Sequence, residues 1–187
     1  SIKKTFDLAF QNHKKNNFVV AENLYKEILK NDPNHFQSIF LLGSLFLKIE
    51  NFNMARQLLQ KATKINPNHA DAHNNLGLVF QRLEDYQNAK KCFEKSIKIK
   101  SDHADVQNNL GVVFKELNEF KKAIECYKKA IQINPNYVVV YYNLGNLFKE
   151  LGKFNEAIQC YEKAIQIKPD YAVVYNNLAT ILGELNN

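Results

Sequence analysis

Between Leu110 and Ala130 the apolar residues recur at helical spacing rather than alternating as in a strand. Leu110, Gly111, Phe114 and Leu117 stand at i, i+1, i+4 and i+7, which makes one stripe of an amphipathic helix. Ala123, Tyr127 and Ala130 continue that spacing one helix further on, and the polar step Asn118-Glu119 separates the two. Asn134-Pro135-Asn136-Tyr137 then supplies a stop and a turn, because proline lacks a backbone donor and pushes its predecessor out of the helical region. The predicted element is helix, turn, helix, turn.

The same pattern returns every 34 residues. Prolines stand at Pro33, Pro67, Pro135 and Pro169, with Ser101 in register where the series skips one. Leu-Gly pairs repeat the step at Leu42-Gly43, Leu76-Gly77, Leu110-Gly111 and Leu144-Gly145, and Leu178-Ala179 is the next term. Further rows are Phe46, Phe80, Phe114, Phe148 and Leu182, then Phe18, Phe52, Tyr86, Phe120 and Phe154, then Ala21, Ala55, Ala89, Ala123 and Ala157. These rows predict the core: Gly and Ala let helices approach closely, and the aromatic rows fill the space between them. A single helix pair cannot bury both of its faces, so each repeat depends on the next. The expected organisation is one array over residues 1–187. Its repeats fall at about 2–35, 36–69, 70–103, 104–137 and 138–171, and the first helix of a partial repeat at about 172–187, giving eleven helices.

These rows resemble the tetratricopeptide repeat (TPR) family, whose unit reads W-x2-L-G-x2-Y, then A-x3-F, then P at this length. In the repeat 138–171 the matching residues are Tyr141, Leu144, Gly145, Phe148, Ala157, Tyr161 and Pro169. The resemblance spans essentially the whole chain. It departs at the Trp slot, held by Ile39, His73, Gln107, Tyr141 and Tyr175, and at Ser101. It implies an all-α, right-handed superhelical solenoid of helix-turn-helix repeats that acts as a protein-protein interaction scaffold.

Composition adds exclusions. The apolar runs, such as Val138 to Tyr142, fall far short of the roughly 20 residues that a membrane span needs. The start, Ser1-Ile2-Lys3-Lys4, lacks the apolar run of a secretory signal, and its opening on Ser suggests a processed or engineered beginning. A formal net charge of +6 and a pI near 9.1 permit an acidic partner. The lysines, however, crowd the second helices, mixed with Glu94 and Glu125. Glu94 to Lys98 and Glu125 to Lys129 have the favourable i, i+4 order of a solvated face. Arginine occurs only at Arg56 and Arg82, which argues against nucleic acid as a partner.

Catalytic and metal chemistry find little footing. Cys92, Cys126 and Cys160 occupy one row of successive second helices. Stacked helices lie about 10 Å apart, so three thiolates could not share one zinc at about 2.3 Å. Free thiols without a pairing framework point to a reducing, cytoplasmic setting. His35, His69 and His103 fall in turns between repeats, and His69 with His73 has i, i+4 spacing but no third ligand. There is no phosphate loop, nucleophile elbow or H-E-x-x-H. The chain reads as a non-enzyme with no cofactor and no metal.

The resemblance places function on the first helices, which line the concave groove in the family. Carried over, the peptide-binding residues are Asp71, Asn74, Asn75, Asp105, Asn108, Asn109, Val139, Tyr142, Asn143, Asn146, Asn176 and Asn177. Asn75, Asn109, Asn143 and Asn177 form a ladder whose amides offer both donors and acceptors to a main chain. That ladder is similar to the one in the repeat arm of O-linked N-acetylglucosamine transferases. The alternative reading is therefore a substrate-recruiting, non-catalytic arm of a larger glycosyltransferase or sulfotransferase. Toward the N-terminus the groove turns apolar with Phe10, Phe40, Leu41 and Leu47, which suits an amphipathic segment. At the other end Leu178, Ile181 and Leu182 form an apolar face that a following helix would cover, so either further chain or a second copy is expected there.

Overall fold

The computed structural model describes residues 1–185; residues 186 and 187, the tail of the expected partial repeat, lie outside the described residues. Eleven helices and no strand are present among the described residues: α1 (Ile2–Lys14), α2 (Phe18–Asn31), α3 (Phe36–Lys48), α4 (Phe52–Ile65), α5 (Ala70–Arg82), α6 (Tyr86–Ile99), α7 (Ala104–Glu116), α8 (Phe120–Ile133), α9 (Val138–Glu150), α10 (Phe154–Ile167) and α11 (Ala172–Leu185). They divide into two compact blocks, an N-terminal one of residues Ser1–Ser101 and a C-terminal one beginning at Asp102. Within each block the first helix of every full repeat packs most extensively on the second helix that follows it, and α11 packs on α10 before it.

The first helices of the five full repeats end the same way. Asn16, Glu50, Glu84, Asn118 and Gly152 hold positive φ values of 58 to 68°. The next amide closes the end with a bond to a carbonyl one turn and more behind it: Asn51 N–H to Phe46 O, Asp85 N–H to Phe80 O and Lys153 N–H to Phe148 O, at 2.8 to 2.9 Å. This left-handed closure satisfies carbonyls that the helix end orphans. The polar step read as a break is thus a defined cap, and Glu50 and Glu84 are glutamates, a type that adopts this conformation at a cost.

Starts are capped as well. The side chains of Asn51 and Asp85 accept from Met54 N–H and Asn88 N–H at 3.3 and 3.2 Å. His35 Nδ1 accepts from Ser38 N–H, and His69 Nδ1 from Ala72 N–H at 3.1 Å, so those two histidines are helix caps. His103 takes the same place before α7, but its buried Nδ1 has no hydrogen-bond partner. Between repeats, Asp32, Asn66 and Asn134 hold the amide two residues on across the proline turn. Lys100, in the same register before Ser101, carries no side-chain acceptor.

The glycine row works by contact. An added Cβ would sit 2.6 Å from a ring carbon of Phe93 at Gly77, of Tyr127 at Gly111 and of Tyr161 at Gly145, and 2.9 Å from Leu59 at Gly43. Those four side chains are almost fully buried. Burying an apolar side chain of this size contributes about 2 to 3 kcal/mol, and only glycine leaves the ring room to lie flat on the neighbouring backbone.

The expected surface pairs Glu94–Lys98 and Glu125–Lys129 do not form. Ion pairs on or beside the second helices join Lys26 to Glu22 at 2.5 Å and Lys122 to Glu119. Exposed pairs of long side chains gain too little to hold one geometry.

Candidate functional site

The residues expected to bind peptide sit on first helices, and each block presents its own face. In the N-terminal block α5 carries Asp71, which is exposed, with Asn74 and Asn75, both half-buried. Asn74 Nδ2 donates to Asn75 Oδ1 at 3.5 Å, and Asn75 Nδ2 donates to Ser44 Oγ on α3 at 2.9 Å.

In the C-terminal block the face spans α7, α9 and α11. Asp105 and Val139 are exposed, Asn108 is buried, and Asn109, Tyr142, Asn143, Asn146 and Asn177 are half-buried, while Asn176 is exposed. Asn143 Nδ2 donates to Asn108 Oδ1 at 2.9 Å, and Asn177 Nδ2 donates to Asn146 Oδ1, also at 2.9 Å. Lys149 Nζ reaches Asn177 Oδ1 at 3.4 Å. The Tyr161 hydroxyl, projecting past Gly145 from α10, donates to Asn146 Oδ1 at 2.7 Å. Lys115 pairs with Glu150 at 3.0 Å, and Tyr142 lies 5.6 Å from Tyr171, ring to ring.

These bonds determine what each amide can still offer. Asn146 Oδ1 accepts twice and its amino group donates to no protein group among the described residues; Asn108 likewise accepts and keeps its amino hydrogens. Asn143 has spent one N–H and keeps its carbonyl oxygen. The face therefore offers fixed donors and a fixed acceptor to a ligand, between the apolar surfaces of Val139, Val173 and Tyr142. Tyr161 lies outside the set that the sequence pointed to because it belongs to a second helix. Its signal was the aromatic residue sixteen positions after the glycine.

Burial also marks the ionisable groups around this polar set. Burial pushes the Tyr161 phenol up to about 12. Tyr137, capping α9, is raised by burial and then by its hydrogen bond to Asp105. Cys92 and Cys160 are pushed up to about 11 by burial, so their thiols stay protonated near neutral pH. No cluster of three metal-ligating side chains exists among the described residues. No described helix is long and apolar enough to cross a membrane.

At the C-terminal end Ile181 is fully buried, Leu178 is half-buried and Leu182 is exposed. Of that expected apolar trio, one side chain faces solvent.

Helix pairs repeated at 34 residues, joined by left-handed caps and packed glycine against aromatic, define a helical repeat protein of the interaction type. The chain belongs to the tetratricopeptide repeat family. Models of that family match residues 70–103 and 138–171, 43–84 and 113–152, and 160–187. Among solved structures it is similar to MamA, at 29% identity and a TM-score of 0.81, covering 88% of this chain and 96% of that one. It is also similar in fold to MamA from Desulfovibrio magneticus RS-1, at 18% identity and a TM-score of 0.85 over 91% of this chain and 96% of that one. A third is YrrB, described as a TPR protein with an unusual peptide-binding site. It has 18% identity and a TM-score of 0.80 over 92% of this chain and 89% of that one. A sequence search of curated proteins gave no match.

Proposed function

We propose that the chain is a non-catalytic interaction scaffold that holds a peptide or protein segment on its first-helix faces, in a reducing, cytoplasmic setting. The observation that carries this reading is the amide set of the C-terminal block. Asn108, Asn143, Asn146 and Asn177 are held by one another and by Tyr161, so they keep one arrangement before a ligand arrives. Groups ordered in advance bind with less side-chain entropy to lose. An extended main chain needs alternating donors and acceptors, and the unspent amino groups of Asn108 and Asn146 and the carbonyl of Asn143 are of those kinds. Val139, Val173 and Tyr142 add apolar contact for side chains on either side. The peptide-binding site named for YrrB, on the same fold, supports this use of the architecture.

The test is a peptide array probed with the whole chain, followed by calorimetry on the peptides retained. Asn143→Ala with Asn177→Ala should weaken those peptides by about tenfold, the loss of one or two hydrogen bonds. A second variant, with Asn75, Asn109 and Asn143 all changed to Ala, extends the test across the ladder. Unchanged affinity in both variants makes the amides purely structural and removes the site.

A further inference from the structure

One register position changes its charge between the two blocks. The last residue of each first helix is Lys14, Lys48 and Arg82 in the N-terminal block, and Glu116 and Glu150 in the C-terminal block; the corresponding residue of α11 is Glu184. A cation in the last turn suits a helix C-terminus, and the C-terminal block keeps one by stepping back a residue to Lys115 and Lys149. There one of the two cations is answered, since Lys115 pairs with Glu150, while Lys149 reaches the neutral Asn177 Oδ1. In the N-terminal block it is not: Lys48 Nζ bonds the neutral Asn16 Oδ1 at 2.8 Å, Lys14 lies 4.4 Å from the centroid of the Phe10 ring, and neither Lys48 nor Arg82 has a carboxylate partner among the described residues.

Lys48 and Arg82 also line a pocket. Its walls are Leu47, Lys48, Glu50, Phe52, Leu78 and Arg82, and its volume is about 250 Å³. That is below the roughly 300 to 1,000 Å³ of a small-molecule cleft and suits one or two side chains of a larger ligand. Two cations face one carboxylate, Glu50, so the pocket is net positive. Elsewhere α1 and α3 of the same block carry apolar side chains at the surface: Phe10 is 37% exposed, and Phe40 and Leu41 are half-buried.

We propose that the N-terminal block docks an acidic amphipathic segment of a partner protein, setting a large apolar side chain between Leu47, Phe52 and Leu78 and an adjacent carboxylate against Lys48 and Arg82. The proposal rests on the scaffold reading above and names the class of segment that this block selects. Apolar walls supply the contact area, and the uncompensated cations supply the choice of sign. A segment bearing lysine at the same place meets two like charges and is rejected.

The experiment uses the whole chain and three labelled sixteen-residue peptides with leucine at i, i+3, i+4 and i+7. The remaining positions carry glutamate in one peptide, glutamine in the second and lysine in the third. Fluorescence anisotropy at low salt should show the glutamate peptide binding about tenfold tighter than the glutamine one, the sum of two exposed ion pairs. The lysine peptide should bind weakest. The variant with Lys48→Gln and Arg82→Gln should lose that tenfold preference while keeping its circular dichroism spectrum. Asn143→Ala with Asn177→Ala should leave it in place. Equal affinity for the glutamate and glutamine peptides, or a preference that survives the loss of both cations, overturns the proposal. If peptides are still retained through Asn143, this inference fails and the scaffold reading stands; if neither block retains any peptide, both fail.

Discussion

Replacing Gly145 with alanine would place a methyl carbon 2.6 Å from Tyr161 Cε1 and 2.8 Å from Cδ1. Carbon atoms in contact prefer about 3.5 to 4.0 Å, so the ring must retreat by about 1 Å in a place where it is completely buried. The retreat also pulls on its hydroxyl, which donates to Asn146 Oδ1 at 2.7 Å and has little slack before that bond is lost. Overpacking of this kind costs about 1 to 3 kcal/mol, and the hydrogen bond adds about 1 kcal/mol. Alanine returns about 1 kcal/mol through its better helix propensity. The net expectation is a loss of about 2 kcal/mol, which at a slope of about 2 kcal/mol/M lowers the urea midpoint by about 1 M.

Far-ultraviolet circular dichroism across a urea series reads this directly. The control is Tyr161→Leu, which recreates the Gly43 and Leu59 pairing, where the nearest carbon belongs to a flexible side chain at 2.9 Å. In that background the cost of alanine should fall below about 1 kcal/mol. A Gly145→Ala protein as stable as the parent, or an alanine cost that the Tyr161→Leu change leaves unaltered, would refute the close-packing argument.

Glu84→Gly should raise stability by about 1 kcal/mol, since Glu84 holds a φ of 58° that favours glycine, and a lower urea midpoint would sink that account. With Cys92 and Cys160 pushed up to about 11, iodoacetamide should label them roughly a hundredfold more slowly than free cysteine at pH 7.5; labelling at the free rate contradicts the burial. His13 is held below its usual 6.5 by burial and then by Lys48, so its contribution to stability is full above that value. It is lost as pH falls through the depressed folded value, because the unfolded chain then binds the proton more readily. His13→Gln should flatten that slope in pH-dependent unfolding curves; an unchanged slope would assign it elsewhere.

How much of this was legible in the sequence differs by kind of feature. Helical periodicity and the 34-residue rows carried the fold class, because the same buried contacts recur at Leu42, Leu76, Leu110 and Leu144. The chemistry of the turns was less visible. Asn118-Glu119 reads only as polar, and nothing in the types of Glu50 or Glu84 announces a left-handed residue that the closing hydrogen bond enforces. The asparagines stand out in the sequence, but not which of their atoms remain available. That depends on Tyr161 crossing from a second helix, a contact that needs three-dimensional register. Ile181 reads as part of an exposed end from its spacing alone, and the fold buries it. The interruption at Ser101 shows as a missing proline, while the unpartnered His103 beside it emerges only once neighbouring groups are placed.

The asparagine bonds also have a direction. In the C-terminal block Asn143 donates to Asn108 and Asn177 to Asn146, each time from a first helix to the first helix before it. A face whose asparagine amides donate one way has a grain, as a sheet edge does. A strand laid along such a grain is not equivalent to the same strand turned end for end: its carbonyls meet amino groups in one sense and oxygens in the other. On the proposed use of this face, a peptide and its reversed sequence, identical in composition and charge, would bind it with different affinity and no side-chain pocket taking part.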